Sequence, residues 1–558
     1  MLEVLFVWLL VGVCALFWGE RLSFWVGSRM QTFNQFRGWI NVWIGLVFIS
    51  FISLVITFFT PLLPGVKLLI WLGLTAPIFY DYQWIRLLLG RLKKFGHSLD
   101  LAGSMIVGLT FFLALLKSAG LPEIFDEGAY HLPLIRMWEE QGIVIGMANL
   151  NGHYGLNSTW HLLSALANLS FVPGWQTALA LNGFIVVFLG LFSASRISQI
   201  TRNNLISSWI IAFLPVLIFR NLISSPATDI PAIIASWFVF TLWLECIETK
   251  NSPWAIWPVL VFIPVWIVML KSSSAALLLI PFGMLLLSYR EKLLKRFWII
   301  CLIGFALLFP WILENWLLTG YGVFPIRFTA LGNPDWQVPI SSIDKKFYLE
   351  QFGAFAPPKS YSFSWLKFWF SAHNMDTRVL LLLALTGIVS VSIGLFCRPG
   401  NLNKMKLSLF LTVLICLLVW MGTITEPRYG FGALVFAALF PIAFVARVFQ
   451  AKFKFIHLAV WFLIFFQGFN LFKTWKEFNG QMTGIWHPAP RPSVAFRMLQ
   501  CANFQGSTPL HYTTEVPVGK PPFCWDCPFP CIPKEGKMDS LHLHQSERFG
   551  RKMFVFSP

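Results

Sequence analysis

The segment LDLAGSMIVGLTFFLALLKSAGLPEIFDEGAYHLPLIRMWEE, residues 99–140, joins an apolar run to an acidic, amphipathic one. Residues 99–117 are long and apolar enough to cross a bilayer core, which takes about 20 residues. The stretch 118–173 that follows is too long for a hairpin between spans and too amphipathic for a span. Asp126 and Glu127 are placed to cap a helix and complement its dipole. From Gly128 to Gln141, Tyr130, Leu134, Ile135, Met137 and Trp138 share roughly one helical face, with Arg136, Glu139 and Glu140 opposite. That pattern predicts a helix lying in the membrane interface. A second helix is expected over about 157–169, after a Gly-rich turn carrying His153 and Tyr154.

The rest of the chain repeats the apolar half of this pattern. Of 558 residues, 57% are hydrophobic and 12% charged, and the mean hydropathy is +0.68. No compact soluble fold covers so much apolar surface with so few charges. The expected class is an all-α polytopic membrane protein with about 12–14 transmembrane helices; disordered, collagenous, coiled-coil and small disulfide-scaffold classes are excluded. About fourteen runs qualify as spans: 2–19, 39–60, 66–83, 99–117, 174–195, 205–222, 232–247, 254–270, 274–289, 297–318, 379–396, 407–423, 431–447 and 456–472. The first lacks a basic start and a small-residue cleavage site, so it is expected to be a span and not a signal peptide. The net charge of +17 does not signal nucleic acid, because Lys and Arg sit mostly in short breaks between apolar runs.

Those breaks orient the chain. One alternate set of short loops holds twenty Lys and Arg, the other six, and the basic set is expected to face the cytoplasm. Both termini, the 118–173 loop, a second long loop at 319–378 and the tail 473–558 then lie outside. All the polar clusters fall on that outer side: FDEGAYH (125–131), NGHYGLNS (151–158), SSPATDIP (224–231), KSSS (271–274), GYGVFP (320–325) and TEPRYG (425–430).

Adjacent carboxylates at such an interface can deprotonate a hydroxyl or hold a divalent cation. Asp126 is thus a candidate base or metal ligand with Glu127 in support; a helix cap with a solvated neighbour is the plainer alternative. His131 and His153 read as hydrogen-bonding side chains or, less often, metal ligands. Asp229 lies between two prolines at a span end, where an ionised group costs about 2.5–3.5 kcal/mol at a helix centre and is usually kept for a site or a partner. Arg428, on a very short turn, can clamp phosphate oxygens with parallel hydrogen bonds, or pair with Glu426. Lys271 with Ser272, Ser273 and Ser274 offers a second cation and hydroxyl donors, or snorkels to headgroups. Glu314 and Tyr321 are candidates to line the same cavity, under a lid formed by 319–378. Most of the 27 Trp residues read as an interfacial belt.

Nine cysteines divide into five in or near spans and four in the tail: Cys501, Cys524, Cys527 and Cys531. An oxidising outer compartment favours disulfides there, most plausibly Cys524 with Cys531, although spacing does not fix connectivity. The tail otherwise reads as a small cap of irregular structure.

The string FDEGAYHLPLIRMWEEQGIVIGMANLNGHYGLNSTWHLLSAL (125–166), with SSPATDIP, NWLLTGYGVFP, DWQVP, EPRYG and CWDCPFPC in the same order, resembles a bacterial multi-spanning family of the GT-C type. That superfamily of membrane glycosyltransferases includes protein O-mannosyltransferases and lipid A aminoarabinose transferases. The resemblance covers about residues 100–535. It implies sugar transfer from a polyprenyl-phosphate donor at the outer face of a bacterial inner membrane, with an acidic residue of the first outer loop as base or metal ligand. A divalent metal ion is the only cofactor it suggests, and the partners it implies are the lipid-linked sugar, an acceptor of unspecified class and membrane lipids. In the better-known members the acidic loop follows the first span; here it follows the fourth. Residues 1–98 therefore read as an added transmembrane region, 99–472 as the GT-C-like module and 473–558 as an extracytoplasmic cap. An O-antigen polymerase or ligase fits the same features, and a lipid-linked saccharide flippase is the alternative of a different class.

Overall fold

The computed structural model describes residues 1–25, 37–120, 126–198, 220–340, 369–396, 404–422, 426–448 and 454–479, except 174, 176 and 372, together with 501–503, 511–513, 543–548 and 551–556. Sixteen α-helices are present among these residues. They are α1 Leu2–Trp25, α2 Arg37–Thr57, α3 Pro64–Tyr80, α4 Tyr82–Ser98, α5 Leu101–Ala119, α6 Leu132–Glu140, α7 Thr159–Ala167, α8 Ala180–Ile197, α9 Asp229–Glu248, α10 Trp257–Leu270, α11 Leu279–Arg290, α12 Leu294–Thr319, α13 Met375–Phe396, α14 Lys404–Gly422, α15 Pro427–Val448 and α16 Lys454–Asn479. Nine helical segments among the described residues meet both length and hydropathy for a membrane span, and α3 and α10 are shorter apolar helices. The chain is an all-α polytopic membrane protein. Most of the expected run 205–222 lies outside the described residues.

The centre of the bundle is α9 and α10. All fourteen residues of α10 are buried, so its side chains meet other helices on every face; this explains an apolar sequence with no polar stripe. By contrast α12 exposes Trp298, Leu302, Phe305 and Phe309, as expected of a lipid-facing span. The N-terminal helices join this core directly. Trp43 of α2 meets Phe188 of α8, Phe238 of α9 and Trp266 of α10 at ring-centroid distances of 5.5, 5.8 and 5.9 Å. Close approach of α1 and α2 depends on two glycines: a Cβ at Gly19 would strike the Asn41 carbonyl, and one at Gly45 the Ala15 carbonyl. Small residues at such crossings let membrane helices gain packing that hydrophobicity cannot supply in lipid.

The 118–173 segment folds as expected in outline. A single π-turn, Glu127–His131, leads into α6, and α7 occupies the second predicted helix. Both helices are more enclosed than an interfacial placement suggests. Every residue of α7 is buried, and Glu139, expected on the wet face of α6, is drawn into a pair with Lys67 of α3 at 2.6 Å. Lys67 Nζ also donates to the Asn168 carbonyl at 2.7 Å and to Ser170 Oγ at 2.6 Å.

The second long loop begins as an ordered turn. Asn149 Nδ2 donates to the Trp336 carbonyl at 3.0 Å, and Trp336 Nε1 to the Trp316 carbonyl at 3.1 Å. These bonds staple residues 320–338 to the acidic segment and to α12. In the tail the described residues form two antiparallel pairs, Cys501–Asn503 with His511–Thr513 and Leu543–Arg548 with Arg551–Phe556. The tail is therefore not wholly irregular. Cys524, Cys527 and Cys531 lie outside the described residues.

Candidate functional site

Four elements converge at the Asp126 end of the bundle. The first turn of α9 brings Asp229, the C-terminus of α10 brings Lys271, the first turn of α15 brings Arg428 and Tyr429, and the π-turn of the acidic segment brings Asp126. Local sequence sets each placement. Pro231 sits in the first turn of α9, and Pro427 opens α15; proline is tolerated there because the first helical amides have no intrahelical acceptor. Lys271 takes an extended conformation (φ −153°, ψ 104°) that ends α10 before the 3-10 segment Ser272–Leu278.

The side chains form an alternating network of charge. Arg428 Nη1 donates to Asp126 Oδ2 at 2.8 Å and lies 3.9 Å from Asp229 Oδ2. Lys271 Nζ donates to Asp229 Oδ1. The Tyr429 ring lies beneath both cations, with Lys271 Nζ 3.7 Å and Arg428 Cζ 5.3 Å from its centroid; an aromatic face attracts cations by its quadrupole. Arg428 thus pairs with the acidic segment and not with its exposed neighbour Glu426. Burial pushes the Lys271 ammonium below its usual range, against the opposing pull of Asp229.

Beneath this network lies a cavity of about 40 Å³. Its rim is polar, formed by Lys271, Ser273, Ser274 and Arg428, and its walls include Ile233, Phe240, Leu277, Trp420 and Ala433. Arg428 Nε and Ser273 Oγ are both buried with no hydrogen-bond partner among the described residues. Buried donors left unpaired cost about 1–3 kcal/mol each, which suits a site that receives an acceptor-rich ligand. From Asp229 to Phe240, α9 advances eleven residues, roughly 16 Å at 1.5 Å per residue, so the apolar part of the lining extends well along α9 from the charged network. A Cβ at Gly430 would strike the Trp420 indole, so this glycine keeps α15 close to α14 along the cavity wall.

The histidines lie behind the acid. His131 Nδ1 and His161 Nε2 are 2.7 Å apart, and both rings are buried. Burial holds each well below the usual imidazole range, reinforced at His131 by Arg428, Lys271 and His153 and at His161 by His131. At this separation one ring N–H donates to the other ring. Tyr130 stacks on His153 with centroids 4.9 Å apart and planes at 10°. Its phenol is pushed well above 10 by burial, then by Asp126 and Tyr429.

Of the residues singled out by sequence, the fold brings Asp126, Asp229, Lys271 and Arg428 together, with His131 and His153 one layer behind. Glu127 is fully buried at the start of the π-turn. Glu314, buried in α12, and Tyr321, just after it, do not line the cavity as expected. Asn157 donates to Glu314, while the Tyr321 hydroxyl donates to the Val338 carbonyl at 2.9 Å and accepts from Gln337 at 3.0 Å. Tyr429 and His161 were not singled out by sequence, whereas Ser273 was, as a hydroxyl donor beside Lys271. Tyr429 adjoins Arg428 in EPRYG and was within reach, but nothing local marks His161, thirty residues from its partner. Among the described residues no three His, Cys, Asp or Glu side chains gather as a metal shell would, and Asp126 faces a guanidinium.

Residues 1–435 match the family model described as a domain of unknown function, DUF8201. The match begins in α1 and runs unbroken across residue 98 into the acidic segment, the cavity and the first turns of α15. No curated protein and no solved structure matches the chain. With more than half of its length covered, including every residue of the charged network, this multi-pass membrane protein belongs to the DUF8201 family.

Proposed function

We propose that the protein is a glycosyltransferase that uses a polyprenyl-phosphate-linked sugar at the outer leaflet of a bacterial inner membrane. The observation that carries this reading is the meeting of a carboxylate, two cations and an apolar cavity. Arg428 bonds Asp126 at 2.8 Å, and Arg428 and Lys271 both rim a cavity with apolar walls. The expected likeness of residues 125–166 to GT-C enzymes points the same way.

In this reading the phosphate of the donor takes the place of Asp126 on Arg428, using the unpartnered Nε and the hydroxyl of Ser273, while its isoprenoid chain follows the cavity between α9, α14 and α15. Release from the guanidinium frees the Asp126 carboxylate to accept a proton. An acceptor hydroxyl attacks the anomeric carbon, the carbon–oxygen bond to phosphate breaks, the hydroxyl proton passes to Asp126, and the electron pair leaves with the phosphate. The extra negative charge on the lipid phosphate is met by Arg428 and Lys271, the fixed-charge stabilisation that usually supplies most of such a rate enhancement. Asp229 holds Lys271 in place, and Tyr429 supports both cations.

The test is mass spectrometry of lipid-linked sugars and surface glycans in a deletion strain complemented with the wild type or with Asp126→Asn. The expected outcome is an accumulated polyprenyl-linked sugar and a missing glycan, cured by the wild type alone. Identical profiles in all three strains would refute the assignment.

A further inference from the structure

The opposite end of the molecule carries a second surface with its own chemistry. Helix α3 runs from beside α6 to that end, and α5 runs back. Leu62 N bonds the Trp138 carbonyl at 2.9 Å, so α3 starts beside the acidic segment; it ends at Tyr80, and α5 returns from Asp100 to Ala119. Between them α4 is fastened to the end of α1. Asp81 caps it through Trp84 N at 3.0 Å and pairs with Arg21, while Glu20 accepts from Trp84 Nε1 at 2.6 Å and pairs with Arg91. This helix therefore lies at the level where α1 ends and α5 begins, at the edge of the membrane.

Its sequence YQWIRLLLGRLKKFGHS contains no Asp or Glu. At 100° per residue, Trp84, Ile85, Leu88, Leu92 and Phe95 fall on one side and Arg86, Lys93 and His97 on the other. Only Trp84 is fully buried. Arg86, Lys93 and Lys94 are exposed, and no ion pair joins them to a carboxylate among the described residues. Leu87, Leu89 and Leu92 are each more than half exposed. Exposed leucines beside unpaired cations on a helix at the membrane edge fit one environment, the boundary between acyl chains and acidic headgroups.

We propose that α4 is a binding surface for acidic phospholipids of the leaflet opposite the Asp126 site, with Arg86, Lys93 and Lys94 taking the headgroup phosphates and Leu89 and Leu92 resting on the acyl chains. A nucleic acid or an acidic protein would satisfy the cations and leave the leucines in water. The inference does not depend on the proposed transferase reaction.

The full-length protein in detergent, titrated with phosphatidylglycerol or phosphatidylcholine and read by native mass spectrometry, tests it. Phosphatidylglycerol should bind about 100-fold more tightly, the product of three cations. Each cation near an acidic surface is worth about fivefold, so Arg86→Gln, Lys93→Gln and Lys94→Gln should each weaken phosphatidylglycerol about fivefold. The triple variant should weaken it about 100-fold, with phosphatidylcholine unchanged. A Lys93→Arg/Lys94→Arg variant keeps the charge and should bind as the wild type does. Should the triple variant misfold, the three single variants carry the same expectation. Equal binding of the two lipids, single variants that all bind like the wild type, or displacement of phosphatidylglycerol by inorganic phosphate at equal phosphate concentration would overturn the proposal.

Discussion

Replacement of Lys67 by Met isolates the contact that holds the acidic segment to the helical bundle. The Lys67 side chain is 0% exposed and that of Glu139 is 13% exposed. Methionine fills similar space but removes the ion pair and the bonds to Asn168 and Ser170. Among the described residues Glu139 keeps only the bond from Asn168 Nδ2 at 2.8 Å. Breaking a buried pair from one side costs about 3–5 kcal/mol, because the other charge stays behind without compensation. Removing both charges is far gentler, so Lys67→Met/Glu139→Gln should recover to within about 1–2 kcal/mol of the wild type. Unfolding of the purified protein by titration with dodecyl sulfate, with each single variant and the double, gives the cycle.

Acidity adds a second signature. Burial already raises the Glu139 carboxyl above its ordinary 4.5, with Lys67 pulling it back; without Lys67 it rises further. A carboxyl with a raised folded-state pKa stabilises the fold in its neutral form, an effect complete below its ordinary value and lost as pH rises through the folded value. The Lys67→Met deficit should therefore be full at neutral pH and shrink toward pH 4.5. A deficit under about 1 kcal/mol at neutral pH, or one that grows on acidification, would refute the buried pair.

The remaining predictions concern the site and the helix crossing. Asp126→Asn keeps an acceptor for Arg428, and the pair is partly exposed at 28% and 19%, so stability should change by no more than about 1 kcal/mol. Transfer should fall about 10²- to 10⁴-fold, as for loss of a general base; thermal stability and sugar transfer measured on one preparation separate the two. Arg428→Lys should give a partial defect in transfer, since a point charge stays while bidentate geometry and the Nε donor are lost; activity equal to the wild type would remove Arg428 from phosphate binding. Gly45→Val places a side chain against the Ala15 carbonyl and should cost at least about 2 kcal/mol, as overpacking does. Surface expression and unfolding of that variant check it.

The fold class was readable from the sequence because lipid permits few solutions. With no water in the bilayer core, the backbone must satisfy its own hydrogen bonds, so apolar runs become helices whatever their neighbours. The acidic segment was readable for the same local reason, and α6 and α7 fall where periodicity places them. Asp126, Asp229, Lys271 and Arg428 stood out individually because a charge is costly beside lipid and is seldom kept without a partner.

Which of them meet is a different matter. Asp126 and Arg428 are 302 residues apart, and Asp229 and Lys271 are 42 apart. Such pairings depend on helix crossings set by side-chain packing, a many-body outcome that no local pattern encodes. The same holds for Lys67 with Glu139, for the His131–His161 pair, and for Tyr321 and Glu314, which the fold leaves out of the cavity lining. The sequence by itself determined a membrane-spanning helical chain with its chemistry gathered at one end, because hydropathy and charge act residue by residue. Only the tertiary structure decided the partner of each charge and opened an apolar cavity beneath two cations, because those depend on how α9, α10 and α15 come together.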